Sequence, residues 1–277
     1  QAKAILATIP ENDTTYSALI DTFIPSQFKV GNGGIITPQM FIHNINTYMA
    51  RNLLVNKYAS ELTTAELSQI ETLVNSGIQR GDKIFTIRSV ANGDLCFVAE
   101  TGWGPYRFFI GWENISERLV QDFKTGDNRY TRNIETRSSA LFNPRDRGFG
   151  IGTRYKLKDG GDYASTTAGV VELPFAGTYE ENQLMLAEVK LRKDNDIDGA
   201  LTLVDAVRTY QNAGLAAVAG TGLTKAQALE ELRKERRIGL FLKGTAFYDA
   251  RRWGILKPVA QGGGRTNANV VVAADGT

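Results

Sequence analysis

Residues 232–254 read LRKERRIGLFLKGTAFYDARRWG and set the architecture of the C-terminal region. Their apolar positions recur at the spacing of one helical face, which predicts a helix packed on other elements. Glu235 and Arg236 lie between those apolar positions rather than on a separate polar side. Charges on an apolar face require partners of opposite sign. These apolar positions are Leu232 and Leu240, together with Leu229 just before the stretch.

Candidate partners for these charges follow directly along the chain. Gly244 breaks the helical pattern, and an acidic and two basic residues come shortly after it. They are close enough to reach back once the chain turns. The pattern therefore predicts a structural ion-pair network made of Glu235, Arg236, Asp249, Arg251 and Arg252.

Two helical hairpins are predicted, one on either side of a long middle segment. Residues 37–78 form the first: Pro38 suits the first helical position, and Thr63-Thr-Ala-Glu66 is a capping box. Residues 178–254 hold the second hairpin and the helices of the 232–254 stretch. Two helices joined by a short turn must lie antiparallel. The inner face of the second hairpin consists of Leu184, Ala187, Leu191, Ile197, Ala200, Val204 and Val207.

The middle segment, residues 80–175, is predicted to be a loop and β excursion. Asn92-Gly93 separates two strand-like runs and is typical of a β-hairpin turn. Residues 143–178 are rich in Gly, Asp, Arg and Tyr, which predicts a surface loop. The strand-like runs are 83–88, 95–99 and 106–110. We expect a mainly α fold of helical hairpins with a long loop and a short β-hairpin excursion.

Composition excludes several classes of protein. The 277 residues are 42% hydrophobic and 22% charged, which is typical of a globular chain rather than a disordered one. A net charge of only +2 gives no electrostatic case for nucleic acid or for an anionic membrane. Cys96 is the single cysteine, so the chain contains no internal disulfide.

Three segments resemble one known family, in that family's order. Residues 232–254 carry Glu-Arg-Arg, apolar residues, Gly, an aromatic, Asp and Arg-Trp-Gly, which is similar to the C-terminal signature of the SusD/RagB family. Residues 184–208 resemble its tetratricopeptide-like hairpin, and residues 117–129 resemble its helix that ends at Asp-x-Arg. Four positions depart from the residues that are usual in the family: Gly239, Lys243, Ala246 and Asp205. These departures affect individual ion pairs and not the resemblance itself.

The resemblance implies a role as well as a fold. Members of this family are surface lipoproteins of the bacterial outer membrane that capture nutrients for TonB-dependent transporters. It implies one SusD-like domain over 1–277, without catalysis or cofactor, that binds an oligosaccharide and delivers it to a SusC-like transporter. It further implies that this sequence is the later half of a longer protein, incomplete at both ends, with the lipid anchor outside it. The alternatives are a helical-repeat adaptor for proteins, a peptide-nutrient binder of the same family, and a glycoside hydrolase.

Aromatic residues in the middle segment are the candidates for ligand binding. Aromatic faces bind sugars by stacking on the apolar side of the ring, while polar side chains orient the hydroxyl groups. The family's loops bind glycans in this way, although aromatic residues in strands more often pack in a core. The candidates are Trp103, Tyr106, Trp112 and Tyr130, and Tyr155 and Tyr163 are further possibilities on the same argument.

Catalytic and metal motifs are weak. His43 lies in an apolar-patterned helix, and no Gly-x-Ser-x-Gly elbow accompanies it, so we expect no hydrolase triad. Asp194, Asp196 and Asp198 match the first half of a calcium loop. However, the apolar face requires the residues from 197 onward to be helical, which prevents that loop from closing. Asp196 as a helix N-cap accounts for the same residues, so we expect no metal.

Overall fold

The chain divides into two units. The structure, a computed structural model, describes residues 1–25, 35–88, 103–104, 107–108, 114–142, 151–164, 172–174, 176–264 and 271–272. Unit 1 comprises residues 1–88, 172–210 and 216–264. Unit 2 comprises residues 89–171, 211–215 and 265–277.

Helices dominate the described residues, so the predicted mainly α fold is confirmed. The helices are α1 (Ala2–Leu6), α2 (Thr14–Phe23), α3 (Pro38–Val55), α4 (Thr64–Asn75), α5 (Glu117–Val120), α6 (Asn128–Asn133), α7 (Tyr179–Val189), α8 (Ile197–Tyr210), α9 (Lys225–Gly239) and α10 (Ala246–Arg252). A π-helical turn, Lys190–Asp194, follows α7. Within the described ranges, no helix combines the length and apolar character that crossing a bilayer requires.

The strands are short and antiparallel. They are β1 (Thr86–Arg88), β2 (Trp103–Gly104), β3 (Arg107–Phe108), β4 (Ile134–Phe142), β5 (Ile151–Leu157), β6 (Glu172–Pro174) and β7 (Val271–Val272). They form two two-stranded sheets, β1-β6 and β2-β3, and one three-stranded sheet in the order β4-β5-β7.

Capping residues explain where the longer helices of unit 1 begin. The hydroxyl groups of Thr63 and Thr224 each accept the backbone N–H three residues on, and the side chains of Glu66 and Gln227 accept the cap's own N–H. Each pair satisfies two backbone donors that a helix start leaves free. Pro38 occupies the first helical position of α3, where its missing N–H costs nothing.

Helix α7 lies at the centre of unit 1. One side of it contributes Leu184 and Ala187 to a core shared with α8 and α9. Its other side contributes Met185 and Val189 to a core shared with α3 and α4. All four side chains are fully buried. Because one helix serves both cores, the two predicted hairpins pack into one helical unit rather than two.

The first strand of the middle segment pairs with a strand at the far end of that segment. Ile87 of β1 lies opposite Leu173 of β6, which comes 86 residues later. The two ends of the excursion therefore meet in unit 1. Residues 89–102, including Asn92-Gly93, lie outside the described residues.

Unit 2 contains more regular structure than the sequence predicted. Residues 151–157 were expected to be surface loop, but they form β5, which pairs with β4 from Ile134↔Leu157 onward. Ile134 and Leu157 are both buried, so this pair gives the two strands an apolar contact. The glycine-rich composition of the segment did not indicate it. The Asp-x-Arg motif at residues 127–129 also differs from the expectation, because it begins α6 instead of ending a helix.

Candidate functional site

The structure describes two of the four predicted ligand-binding residues, Trp103 and Tyr130. Trp103 begins β2, where its backbone pairs with Phe108 of β3. Tyr106 and Trp112 lie outside the described residues. Tyr130 lies on α6 in unit 2, and the contacts of its ring are described.

Tyr130 is the middle member of three aromatic rings, which we call the aromatic row: Phe123, Tyr130 and Tyr155. The ring centroids of Phe123 and Tyr130 are 5.7 Å apart, and those of Tyr130 and Tyr155 are 6.5 Å apart. Both pairs meet edge to face, as the charge distribution of aromatic rings favours. The Arg154 guanidinium lies 5.5 Å from the Tyr155 centroid. Each ring is only half-buried, so part of each remains open to a ligand.

Helix α6 is fixed by a buried ion pair. The Asp127 carboxylate accepts the backbone N–H of Arg129 at 2.9 Å and the Nε and Nη2 of the same arginine at 3.0 and 2.8 Å. Nη1 of Arg129 donates to Oε1 of Gln211 at 2.9 Å. Such two-pronged, charge-assisted bonds specify geometry. They hold the helix, and with it Tyr130, in one orientation.

Strand β5 fixes the other end of the row. The hydroxyl of Thr153 donates to the carbonyl of Ile115 at 2.5 Å, and the N–H of Ile115 donates to the carbonyl of Tyr155 at 3.1 Å. The carboxylate of Glu117 accepts the backbone N–H of Arg154 at 2.7 Å and its Nη2 at 2.8 Å. Burial alone would raise the pKa of Glu117, but the bonds from Arg154 outweigh it and lower that pKa.

The carboxylates beside the aromatic row are occupied by arginines. Because its pKa is lowered, Glu117 carries no proton to donate at neutral pH. Oxygens of Asp127 and Asp162 accept hydrogen bonds from Arg129 and Arg132. A glycoside hydrolase needs a carboxylic acid that protonates the leaving oxygen. These three carboxylates instead accept hydrogen bonds from arginines.

Four of the five residues predicted to form one ion-pair network fall into two buried clusters. In the first, Nε of Arg236 donates to Asp249 at 2.8 Å and Nε of Arg252 donates to the same carboxylate at 2.7 Å. The remaining nitrogens of Arg252 donate to both oxygens of Glu188, at 2.7 and 2.6 Å. All four residues are buried. This cluster joins α7, α9 and α10.

The second cluster joins α8 to α9. Arg208 donates from Nε to Glu235 and from Nη2 to Glu231, both at 2.8 Å. Arg251, although predicted to belong to the network, is exposed and donates to the backbone carbonyl of Val55 at 2.6 Å. Its position on α10, one residue before Arg252, points it away from the buried carboxylates.

Glu188 was missed by sequence reasoning, although its signal is present. It lies four residues after Leu184 and three before Leu191, on the apolar face of α7. That is the same signal that identified Glu235. Burial would raise the pKa of Glu188, but the charge and hydrogen bonds of Arg252 outweigh it and hold that pKa well below its usual range.

The acidic turn between α7 and α8 is occupied by protein groups. Asp196 accepts the N–H of Gly199 at 2.9 Å and the ammonium of Lys190 at 2.8 Å, as a helix cap does. Asp198 accepts the N–H of Gly220, and Asp194 pairs with Lys193. Among the described residues, no three potential ligands are grouped so that they could hold a metal ion.

Comparison with known proteins adds independent findings. A family model described as the SusD family matches residues 176–275. No curated protein matches the chain in sequence. Among solved structures, a SusD superfamily protein from Bacteroides vulgatus is similar with a TM-score of 0.50 and 16% identity, over 82% of this chain and 54% of that one. At this identity the likeness concerns the fold alone.

Two further structures are similar at lower scores. B. fragilis NanU has a TM-score of 0.45 at 15% identity, over 86% of this chain and 60% of its own. Another SusD superfamily protein from Bacteroides vulgatus has a TM-score of 0.48 at 16% identity, over 93% of this chain and 66% of its own. The chain thus spans 54% to 66% of the length of these structures. The segment matched by the family model contains α7 to α10 and the residues that form both buried clusters, so the similarity to the SusD family is shown for this C-terminal segment.

Proposed function

We propose that this protein captures oligosaccharides at the bacterial outer membrane without cleaving them and delivers them to a SusC-like TonB-dependent transporter. The match of residues 176–275 to the SusD family model supports a role in carbohydrate uptake at the level of the family. The observation that carries the proposal for this chain is the aromatic row centred on Tyr130.

The row has the features that sugar binding requires. A pyranose ring offers an apolar face that packs on an aromatic ring, and its hydroxyl groups need polar partners at the edge. Tyr130 provides a half-buried ring, and Arg154, whose side chain is 53% exposed, provides donors beside the neighbouring ring of Tyr155. Hydrogen bonds to Asp127 and Glu117 hold the two ends of the row, so little ordering is required when a ligand binds. Trp103, Tyr106 and Trp112 remain proposed members of the same site.

The location and the partner in this proposal come from the family alone. A lipid anchor would hold the protein at the outer membrane, and the transporter would receive the sugar. The helical unit, with its buried ion pairs, would serve as the rigid support for this exchange.

The proposal is tested with a panel of plant and host oligosaccharides, whose binding to the intact protein is measured by isothermal titration calorimetry. The sugars are then recovered and analysed for new reducing ends. We expect at least one oligosaccharide to bind and to be recovered intact. New reducing ends would establish a glycoside hydrolase instead. If no sugar binds but oligopeptides do, the result would favour a peptide-nutrient binder. If neither sugars nor oligopeptides bind, it would favour a helical-repeat adaptor for proteins.

A further inference from the structure

A strip of exposed apolar and basic side chains runs along α10 and the end of α3 in unit 1. We call it the α10 strip. Its large side chains are well exposed, with Phe247 at 63%, Tyr248 at 46% and Leu256 at 55%. Large apolar groups grouped in this way on a surface commonly mark an interaction site. The strip consists of Phe247, Tyr248, Arg251, Tyr58, Leu256 and Lys257.

Direct contacts connect the rings and the cations of the strip. The rings of Phe247 and Tyr248 lie 5.8 Å apart, and the Arg251 guanidinium lies 5.8 Å from the Tyr248 centroid. The Lys257 ammonium lies 4.3 Å from the Tyr58 centroid. The N–H of Ala59 donates to the carbonyl of Arg252, and Arg251 donates to Val55 at the end of α3. The rings and cations therefore share one surface.

The charge of the strip is positive and outward. Within the described part of the chain, neither Arg251 nor Lys257 forms an ion pair with a carboxylate, although both side chains are exposed. Asp249 of α10 is buried between two arginines, and neither cation pairs with the exposed carboxylate of Glu61, which accepts the backbone N–H of Tyr58. The two cations thus remain open to an external anion.

We propose that the α10 strip docks an acidic segment of another protein that also carries large apolar side chains. Carboxylates of the partner would meet Arg251 and Lys257, and its apolar side chains would cover Phe247, Tyr248 and Leu256. Aromatic residues and arginine are enriched at the centres of protein interfaces. Leu256, and Val259 beside it with 80% exposure, are aliphatic and give no ring on which a sugar could stack. Charge complementarity and composition therefore favour a protein partner over an anionic sugar.

The test uses the intact protein and a short fluorescein-labelled peptide in which Asp and Glu alternate with Leu and Phe. Binding is followed by fluorescence anisotropy at two salt concentrations. The proposal predicts that the peptide binds, that its affinity falls at higher salt, and that a peptide with Lys in place of the acids does not bind. Two double variants should each weaken binding at least about tenfold. One is Arg251→Gln with Lys257→Gln, and the other is Phe247→Ser with Tyr248→Ser.

Matched controls keep the test specific. Leu19→Ser with Phe23→Ser removes two exposed apolar side chains of α2, outside the strip, and should leave affinity unchanged. Circular dichroism checks that every variant is folded. Tyr130→Ala, in the aromatic row, should not alter peptide binding, so this proposal and the sugar-binding proposal fail separately.

Several results would overturn the docking proposal. Absence of binding at peptide concentrations up to about 1 mM would do so, as would equal binding of the Lys peptide or of the strip variants. Polygalacturonate that binds the strip more tightly than the peptide would assign it to an anionic sugar. If light scattering shows that the wild type is a dimer and that Phe247→Ser with Tyr248→Ser is not, the strip would be assigned to a second copy of this chain.

Discussion

Both terminal nitrogens of Arg252 donate to the two carboxylate oxygens of Glu188, at 2.7 and 2.6 Å, and both side chains are entirely buried. The two residues lie 64 positions apart in the sequence. Arg252 ends α10 and Glu188 lies near the end of α7, so this pair closes the C-terminal helices onto the central helix of unit 1. The buried positive charge is compensated by Glu188 together with Asp249.

Replacing Glu188 by Gln should destabilise the protein strongly. The amide has the same shape but leaves Arg252 with less compensating charge in a buried site, which costs about 3–5 kcal/mol in the free energy of unfolding. Urea unfolding followed by circular dichroism measures this loss. Glu230→Gln is the matched control, because Glu230 pairs with Arg233 at the surface of α9. It should change the unfolding free energy by less than about 1 kcal/mol, and equal effects of the two substitutions would refute the buried pair's structural role.

Thr47→Val should reveal a second connection inside unit 1. The hydroxyl of Thr47 donates to Oδ1 of Asn182 at 2.9 Å and accepts the N–H of Ile78 at 2.8 Å, and all of these groups are buried. Valine keeps the shape but removes the bonds to the Ile78 N–H and to Oδ1 of Asn182, a loss of about 1–3 kcal/mol. Thr72→Val removes an exposed hydroxyl from α4 and serves as control. Comparable stability of the two variants in thermal unfolding would contradict this connection.

Tyr16 should make unfolding sensitive to alkaline pH. Burial, with a smaller contribution from the nearby charge of Glu11, raises the pKa of Tyr16 to about 12. Since the folded-state pKa lies above the unfolded value of about 10, this contribution to stability is complete below pH 10 and is lost as pH rises through 12. Ultraviolet absorbance of tyrosinate and unfolding curves over this range measure it.

The matching variant is Tyr16→Phe. It removes the hydroxyl that donates to the carbonyl of Ile36 at 2.9 Å and should cost about 1 kcal/mol at neutral pH. Its stability should depend less on pH between 10 and 12 than that of the wild type. An unchanged pH dependence would show that another group titrates there.

The helices could be predicted from sequence because their signals are local. Apolar spacing of 3.6 residues and the capping residues Thr63 and Thr224 act within one or two turns. The same locality explains why Glu235 and Arg236 were identified as buried charges. A charged residue inside an apolar face is visible in sequence without knowledge of its partner.

The partners and the strands could not be predicted in the same way. Arg208 rather than Arg252 pairs with Glu235, because the choice depends on which helices pack together. The pairing of β1 with β6 joins residues that are far apart in sequence, and no local pattern encodes such a register. The aromatic row could not be predicted for the same reason, since Phe123 follows α5, Tyr130 lies on α6 and Tyr155 lies on β5.

The affinity of Tyr130→Ala for an oligosaccharide that the wild type binds tests the central claim most directly. Isothermal titration calorimetry should show affinity weakened at least about tenfold, since the ring on which the sugar stacks is gone. Tyr130→Phe should bind nearly as well as the wild type, and Tyr48→Ala, which removes an exposed ring of α3 in unit 1, should bind equally well. Urea unfolding of each variant confirms that it is folded. Wild-type affinity in folded Tyr130→Ala would contradict the proposal that the aromatic row binds the sugar.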